Sequence, residues 1–320
     1  LSDGAAPEAV EQLAQRVIAA LGERFTLAGQ RVDCGCSIGA AIFGVDAATP
    51  QALMHKADLA LTRAKQIGAG GFSFYDAALD QQLQSQRDLV RDLREAIAQE
   101  TLDLHYQPQY DADGASLVGY EALLRWKHPT RGNVPPGDFI GVAETSGLIE
   151  PLGAWVLKRA CREAAGWPQA LAVSVNLSAA QFRSDELMNT VAAVLDESGL
   201  PPQRLELEIT ESLLMSNTER VLRTLHALSA MGVRIAMDDF GTGYSSLAYL
   251  WRFPFDKVKI DRSFTQGLGS DPKVALIVRS IVTLAHSMEI RVNAEGVATS
   301  AQLGALQRYG CDELQGYLLG

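Results

Sequence analysis

From residue 102 onward the sequence keeps a beat that few folds accommodate. Short apolar runs recur at 102–107, 117–123, 171–176, 205–210, 233–238, 257–261, 290–295 and 311–315. The first two are separated by a turn at 111–114 and read as a hairpin. The others are separated by stretches such as 152–165, 219–231 and 272–288, where apolar residues return every three or four positions. Eight strands that mostly alternate with helices predict an α/β fold closed into a (β/α)8 barrel. In that architecture the chemistry sits where the C-terminal ends of the parallel strands meet at one mouth.

Those predicted ends carry Glu121, Asn176, Glu208, Asp238, Asp239, Lys259, Glu295 and Gln315, in or beside otherwise apolar runs such as SVNLS, LELEIT and RIAMDDF. Five carboxylates at one mouth repel one another unless they are protonated or hold cations. An all-oxygen donor set without His or Cys selects Mg²⁺ or Mn²⁺, with Ca²⁺ entering in looser geometry. Adjacent Asp238 and Asp239 suit two ions roughly 3.5 to 4 Å apart, the usual device for phosphodiester hydrolysis. The run from Asp239 through Gly241, Thr242 and Gly243 to Leu247 is either a plain tight turn or a loop that positions the paired aspartates.

Charge fits this reading. The 320 residues hold 28 Lys+Arg against 38 Asp+Glu, a net −10, the wrong sign for gripping a DNA or RNA polymer. An anionic phosphodiester would need metal ions, assisted by Lys259 and Arg125. Nowhere do about 18 apolar residues run together, so no membrane span is expected. Leu1 is no initiator, so an upstream part, including a membrane tether, can precede the sequence. The four cysteines are few for the length, which favours a reducing cytoplasm over a disulfide framework. Cys34 and Cys36 read as buried side chains rather than zinc ligands, and the five scattered histidines are assigned no chemistry.

Ahead of the barrel, the spacing predicts a helix over 7–25, a strand over 32–43, a helix begun by Thr49 and Pro50 and closed by Gly68, and a strand over 72–75. That is half of an α/β domain. Residues 76–100 contain neither Gly nor Pro and place Leu79, Leu83, Val90, Leu93 and Ile97 on a heptad-like seam with Gln86. They predict a long helix, either packed on its neighbours or serving as a lever or dimer seam.

The ordered set Glu121-Ala-Leu-Leu-Arg-Trp126, Asn176-Leu-Ser, Glu208-Ile-Thr-Glu211, Asp238 to Leu247, Lys259-Ile-Asp261, Glu295-Gly-Val297 and Gln315-Gly-Tyr317 resembles the EAL family of cyclic di-GMP phosphodiesterases over 84–320. The resemblance implies a barrel whose first strand runs antiparallel and which hydrolyses cyclic di-GMP to linear pGpG. By motif, Glu121, Asn176, Glu208 and Asp238 would bind one Mg²⁺ or Mn²⁺, and Asp238, Asp239 and Glu295 a second. Ca²⁺ would inhibit. Lys259 would orient or activate the attacking water, and Gln315 would hydrogen-bond water or phosphate. Gln107, Leu124 and Arg125 would face the substrate. Glu211 would anchor the 239–247 loop, which the family couples to a homodimer interface. The alternatives are a catalytically weak cyclic di-GMP receptor that signals through the linker helix or dimer interface, a scaffold whose barrel only mediates assembly and, at a distance, an enolising barrel.

Two departures stand out. Ala298 replaces a family glutamate, a loss that can cost roughly 10 to 100-fold in metal affinity or activity. The sequence also stops at Gly320, where the family continues into a final helix, which reads as a truncation. Ser37-Ile-Gly39, Ala57-Asp58, Ala64-Lys65 with Gly68, and 72–75 resemble the C-terminal half of a GGDEF diguanylate cyclase domain without its signature motif, and Thr62 replaces a family tyrosine. The expected organisation is a partial GGDEF-like domain at 1–78, a linker helix at 79–100 and the barrel at 101–320.

Overall fold

The structure, a computed structural model, describes all residues except 1–6, 23–24, 28–29, 33–34, 68–69, 215–217 and 242–246. Gly68, Cys34, Thr242 and Gly243 therefore lie outside the described residues. The chain divides into two compact units, Leu1–Leu89 and Val90–Gly320.

The first unit runs α1 (Pro7–Gly22), β1 (Phe25–Leu27), β2 (Gln30–Val32), β3 (Ile38–Ala40), α2 (Pro50–Ile67) and β4 (Phe72–Phe74). β3 and β4 pair in parallel with α2 as their crossover, and β1 and β2 form an antiparallel hairpin. A Cβ on Gly39 would fall 2.1 Å from the Leu61 amide nitrogen, so only glycine lets α2 lie this close to β3. The expected strand over 32–43 is broken. Asp46 bends the chain after β3 by accepting the Ile42 N–H at 2.6 Å. The expected helix over 7–25 stops at Gly22, and Phe25 opens a strand instead.

α3 spans Ala77–Ala98. Its buried residues are Leu89, Leu93 and Ala96, not the anticipated heptad seam. Leu93 belongs to both, whereas Leu83, Val90 and Ile97 are half-buried and Gln86 is exposed; the side chain of Leu79 lies outside those described. The buried residues keep the same four-then-three step as the seam, displaced by one residue at Leu89 and Ala96.

In the second unit β5 (Asp103–Asp111), β6 (Leu117–His128), β8 (Ala172–Leu177), β9 (Leu205–Thr210), β10 (Arg234–Phe240), β11 (Lys257–Ile260), β12 (Arg291–Ala294) and β13 (Glu313–Leu314) close into a barrel, with the short β7 (Gly132–Val134) outside it. β5 is antiparallel to both neighbours, β6 and β13, and the other barrel pairings are parallel. All eight expected strands are present. β6 runs on to His128 and folds back through β7, which places Glu121 in mid-strand rather than at an end.

Strand side chains alternate between faces. The outward set, including Val173, Val175, Leu205, Leu207, Ile235, Met237, Val258, Ile260 and Val292, is essentially inaccessible and packs with helix residues such as Leu157, Ala160, Val191, Leu225 and Val282. Each such side chain contributes about 1.5–3 kcal/mol by leaving water. The single-residue alternation in LELEIT therefore puts leucines against helices and glutamates inside the barrel. Among the described residues no helix is long and apolar enough to cross a membrane. Cys161 and Cys311 are buried free thiols, pushed up to about 12 by burial, and Cys36 is a half-buried free thiol.

One histidine without an assigned role proves structural. His128 Nδ1 accepts the Thr130 and Arg131 backbone N–H groups, each at 3.2 Å. That leaves the proton on Nε2, which donates to Asp92 Oδ2 on α3 at 3.1 Å. Replacing Asp92 by Ala leaves this buried N–H without its acceptor and is expected to destabilise the second unit by about 1–2 kcal/mol, read as a lower urea midpoint with an unchanged slope.

Candidate active site

The barrel interior is built in layers drawn from alternate strands. Its upper part collects Glu121, Glu208, Lys259 and Gln315, with Gln107, Asn176, Asp238 and Glu295 beside them. Lys259 is 0% exposed, and its Nζ lies 2.6 Å from Glu208 Oε2, 2.7 Å from Glu295 Oε1, 3.2 Å from Asp238 Oδ1 and 3.5 Å from Glu121 Oε2. Gln315 Nε2 donates to Glu121 Oε2 at 2.7 Å and to Gln107 Oε1 at 3.0 Å, while its Oε1 accepts from Gln109 at 3.2 Å. Asn176, solvent-exposed at the mouth, donates to Glu121 Oε1 at 2.7 Å. Above them opens a cavity of about 430 Å³ lined by Gln107, Glu121, Asp238, Asp239, Glu295 and Gln315.

Local backbone serves this geometry. Asp239 takes φ +55°, a conformation non-glycine residues seldom adopt, at the point where β10 loses register with β11. A Cβ on Gly316 would lie 2.2 Å from Val297 N, so glycine alone lets the Gln315 and Glu295 segments touch, joined by Val297 N–H to Gln315 O at 3.0 Å.

The cavity wall departs from expectation at Leu124 and holds several further residues. Leu124 packs on the apolar core outside the barrel; Leu123, one residue earlier and on the face of Glu121, lines the cavity. Arg125 Nη1 donates to the Leu124 carbonyl at 2.9 Å, and the residue is not part of the cavity wall. Asp261, Arg262 and Tyr317 line the cavity unforeseen, Tyr317 at 93% exposure. Asp261 also caps the following short helix by accepting Ser263 N–H at 3.0 Å, a signal its Asp-x-Ser spacing carried. Glu211 is buried at the start of a short helix after β9. Gly241 has φ +95° beside Phe264. Ala298 is exposed, its N–H taken by Gln302 at 2.9 Å.

One ammonium faces five carboxylates, and their titration reflects the surplus. Burial alone would strip Lys259 of its proton, yet Glu208, Glu121, Glu295 and Asp238 hold it charged well above the ordinary lysine range. Burial and the Glu121 charge push Glu208 well up. Burial, opposed by Lys259 and reinforced by Asp238, pushes Glu295 up to about 7. Burial and Asp238 raise Asp239. Burial works against ionised Glu121 as well, but Lys259 and the amides of Gln315 and Asn176 win and lower it.

Among the described residues no three His, Cys, Asp or Glu side chains stand arranged to hold a metal ion; the carboxylates turn to Lys259 instead. The donor set nevertheless fits hard cations. It is all oxygen, carries surplus negative charge, and includes Glu208 Oε1, buried with no hydrogen-bond partner among the described residues.

A barrel with its first strand reversed and an acidic, oxygen-lined mouth defines the structural class. The chain belongs to the EAL domain family, which matches residues 90–320; residues 2–70 match the diguanylate cyclase GGDEF domain. It is 48% identical over 320 residues to an uncharacterized signaling protein of Caulobacter vibrioides, covering 100% of this chain and 40% of that protein. It is 42% identical over 318 residues to the bifunctional diguanylate cyclase/cyclic di-GMP phosphodiesterase MucR of Pseudomonas aeruginosa, covering 98% and 46%. Among solved structures, the PaMucR phosphodiesterase in its c-di-GMP complex superposes with TM-score 0.70 at 47% identity, over 73% of this chain and 96% of that one. The chain thus spans less than half the length of these two curated relatives.

The raised carboxylates give a stability prediction. Glu208 and Glu295 keep protons in the folded state that the unfolded chain releases near its ordinary value of about 4.3, so their contribution to stability falls as pH rises from there towards about 7. In EDTA the Tm is expected to drop by several degrees between about pH 5 and about pH 8. Mn²⁺ should abolish that drop by replacing the protons, with proton release visible by calorimetry in buffers of different ionisation enthalpy.

Proposed function

We propose that this chain hydrolyses cyclic di-GMP to linear pGpG at the barrel mouth, assisted by two Mg²⁺ or Mn²⁺ ions. The observation that carries the reading is the convergence of Glu121, Glu208, Asp238 and Glu295 on one buried ammonium, directly beneath a solvent-open cavity that Glu121, Asp238 and Glu295 line. It draws support from relatives named cyclic di-GMP phosphodiesterases, MucR and Escherichia coli PdeR, the latter 36% identical over 99% of this chain. Glu121, Asn176, Glu208 and Asp238 would hold one ion, and Asp238, Asp239 and Glu295 the other. Bound there, the ions supply positive charge for the phosphodiester and make water acidic enough to attack at neutral pH.

This chain's own groups then have distinct tasks. Lys259, held as an ammonium, donates rather than accepts; it orients the attacking water and offsets charge building on the phosphate. Gln315, braced by Gln107 and Gln109, fixes Glu121 and presents its amide to the site. The water oxygen bonds to phosphorus as the bond to a 3′ oxygen breaks, and the proton from water ends on that oxygen. Arg125 would swing to the substrate from the Leu124 carbonyl, and Glu211 would anchor the loop after Gly241.

The same reading assigns 1–78 to part of a GGDEF-like domain, 79–100 to a linker helix and 101–320 to the phosphodiesterase, acting as a homodimer in the cytoplasm. Purified protein with Mn²⁺ is expected to convert cyclic di-GMP to pGpG by chromatography. Glu121→Ala should lower kcat at least 100-fold, and Lys259→Met comparably with little change in binding. Ca²⁺ should permit calorimetric binding while blocking turnover. Tight binding without product in either Mg²⁺ or Mn²⁺ would overturn the hydrolase reading.

A further inference from the structure

Below the site lies a second ionic layer that the proposed reaction does not use. Lys257 stands two residues before Lys259 on the same face of β11 and is 1% exposed. Its Nζ lies 2.7 Å from Glu206 Oε1 and 2.6 Å from Glu313 Oε2. Arg291 Nη1 donates to Glu313 Oε1 at 2.7 Å, and Ser174 Oγ to Glu206 Oε1 at 2.8 Å. Two cations meet two carboxylates, so this layer is locally neutral and has no surplus charge to draw a metal. Barrels ordinarily fill such positions with branched apolar side chains, at no loss of stability.

What distinguishes the layer is its register. Glu206, Lys257 and Glu313 each precede a residue of the site by two positions, namely Glu208, Lys259 and Gln315. Two strand residues advance roughly 6.6 Å, within the sweep of a lysine side chain. Glu206 is therefore a natural competitor for the Lys259 ammonium, and its Oε2 is buried without a hydrogen-bond partner among the described residues.

We propose that Lys257 is a positioning residue for the reaction: by engaging Glu206 and Glu313 it leaves Lys259 turned up towards Glu121, Glu208, Asp238 and Glu295. The lower pair satisfies the lower carboxylates, and the upper lysine stays where substrate arrives. This inference rests on the phosphodiesterase reading for its kinetic part only.

The test compares Lys257→Gln/Glu313→Gln, which leaves Glu206 charged with no lysine of its own, with the triple variant that adds Glu206→Gln. In the double variant kcat per folded molecule for cyclic di-GMP should fall at least tenfold with KM within threefold. Its crystal structure should show Lys259 Nζ within hydrogen-bond distance of Glu206. The triple variant should return kcat to within threefold of the unmodified protein. The proposal is overturned if Lys259 keeps its upper position in the double variant, if the triple is no faster than the double, or if the double fails to fold while the triple folds. An unmodified protein without turnover sinks the phosphodiesterase reading instead, and the position of Lys259 still decides this one.

Discussion

Everything at the mouth of this barrel is organised around one buried ammonium. Lys259 is withdrawn from water, a state that strongly disfavours a charged amine unless opposite charge surrounds it. Four carboxylates from β6, β9, β10 and the end of β12 do so within 3.5 Å. The arrangement over-compensates: with Asp239 alongside, the negative groups outnumber the lysine, and Glu208 and Glu295 retain protons in consequence. In the proposed reaction this surplus is what cations would neutralise, and through them an acidic protein would receive an anionic ester.

The reversed first strand serves this centre. Because β5 enters antiparallel between β6 and β13, Gln107 and Gln109 reach the interior beside Gln315 and saturate its amide from both sides. Gln315 is thereby fixed against Glu121. Layering separates the functions of the two lysines on β11: the lower one closes a neutral network, and the upper one faces a surplus of acid. Outside the barrel, the same strands present leucine, isoleucine and valine to the helices, and that burial offsets the cost of a polar interior.

Much of this was legible from residue types and spacing. The eight strands, the opening hairpin and the residues that meet at the mouth follow from a period-two pattern that sends polar and apolar side chains to opposite faces. The first unit was less legible, because β1, β2 and β3 are three residues each, too short for periodicity to register. On α3 the residues buried within the chain, Leu89, Leu93 and Ala96, share only Leu93 with the seam read from the sequence, because one helix carries apolar residues on more than one stripe.

The sequence by itself determined which residues are chemical: carboxylates, an ammonium and carboxamides set in apolar runs, at intervals that strand alternation turns to one side. Only the tertiary structure decided how they share that interior. Closure of the barrel brings Glu121 and Gln315, 194 positions apart, into a 2.7 Å hydrogen bond, and sets Leu123 rather than Leu124 on the cavity wall. It also sorts Lys257 from Lys259, identical in kind and two residues apart. Their different surroundings come from strands far away in the chain, and a charge takes its role from its neighbours in space.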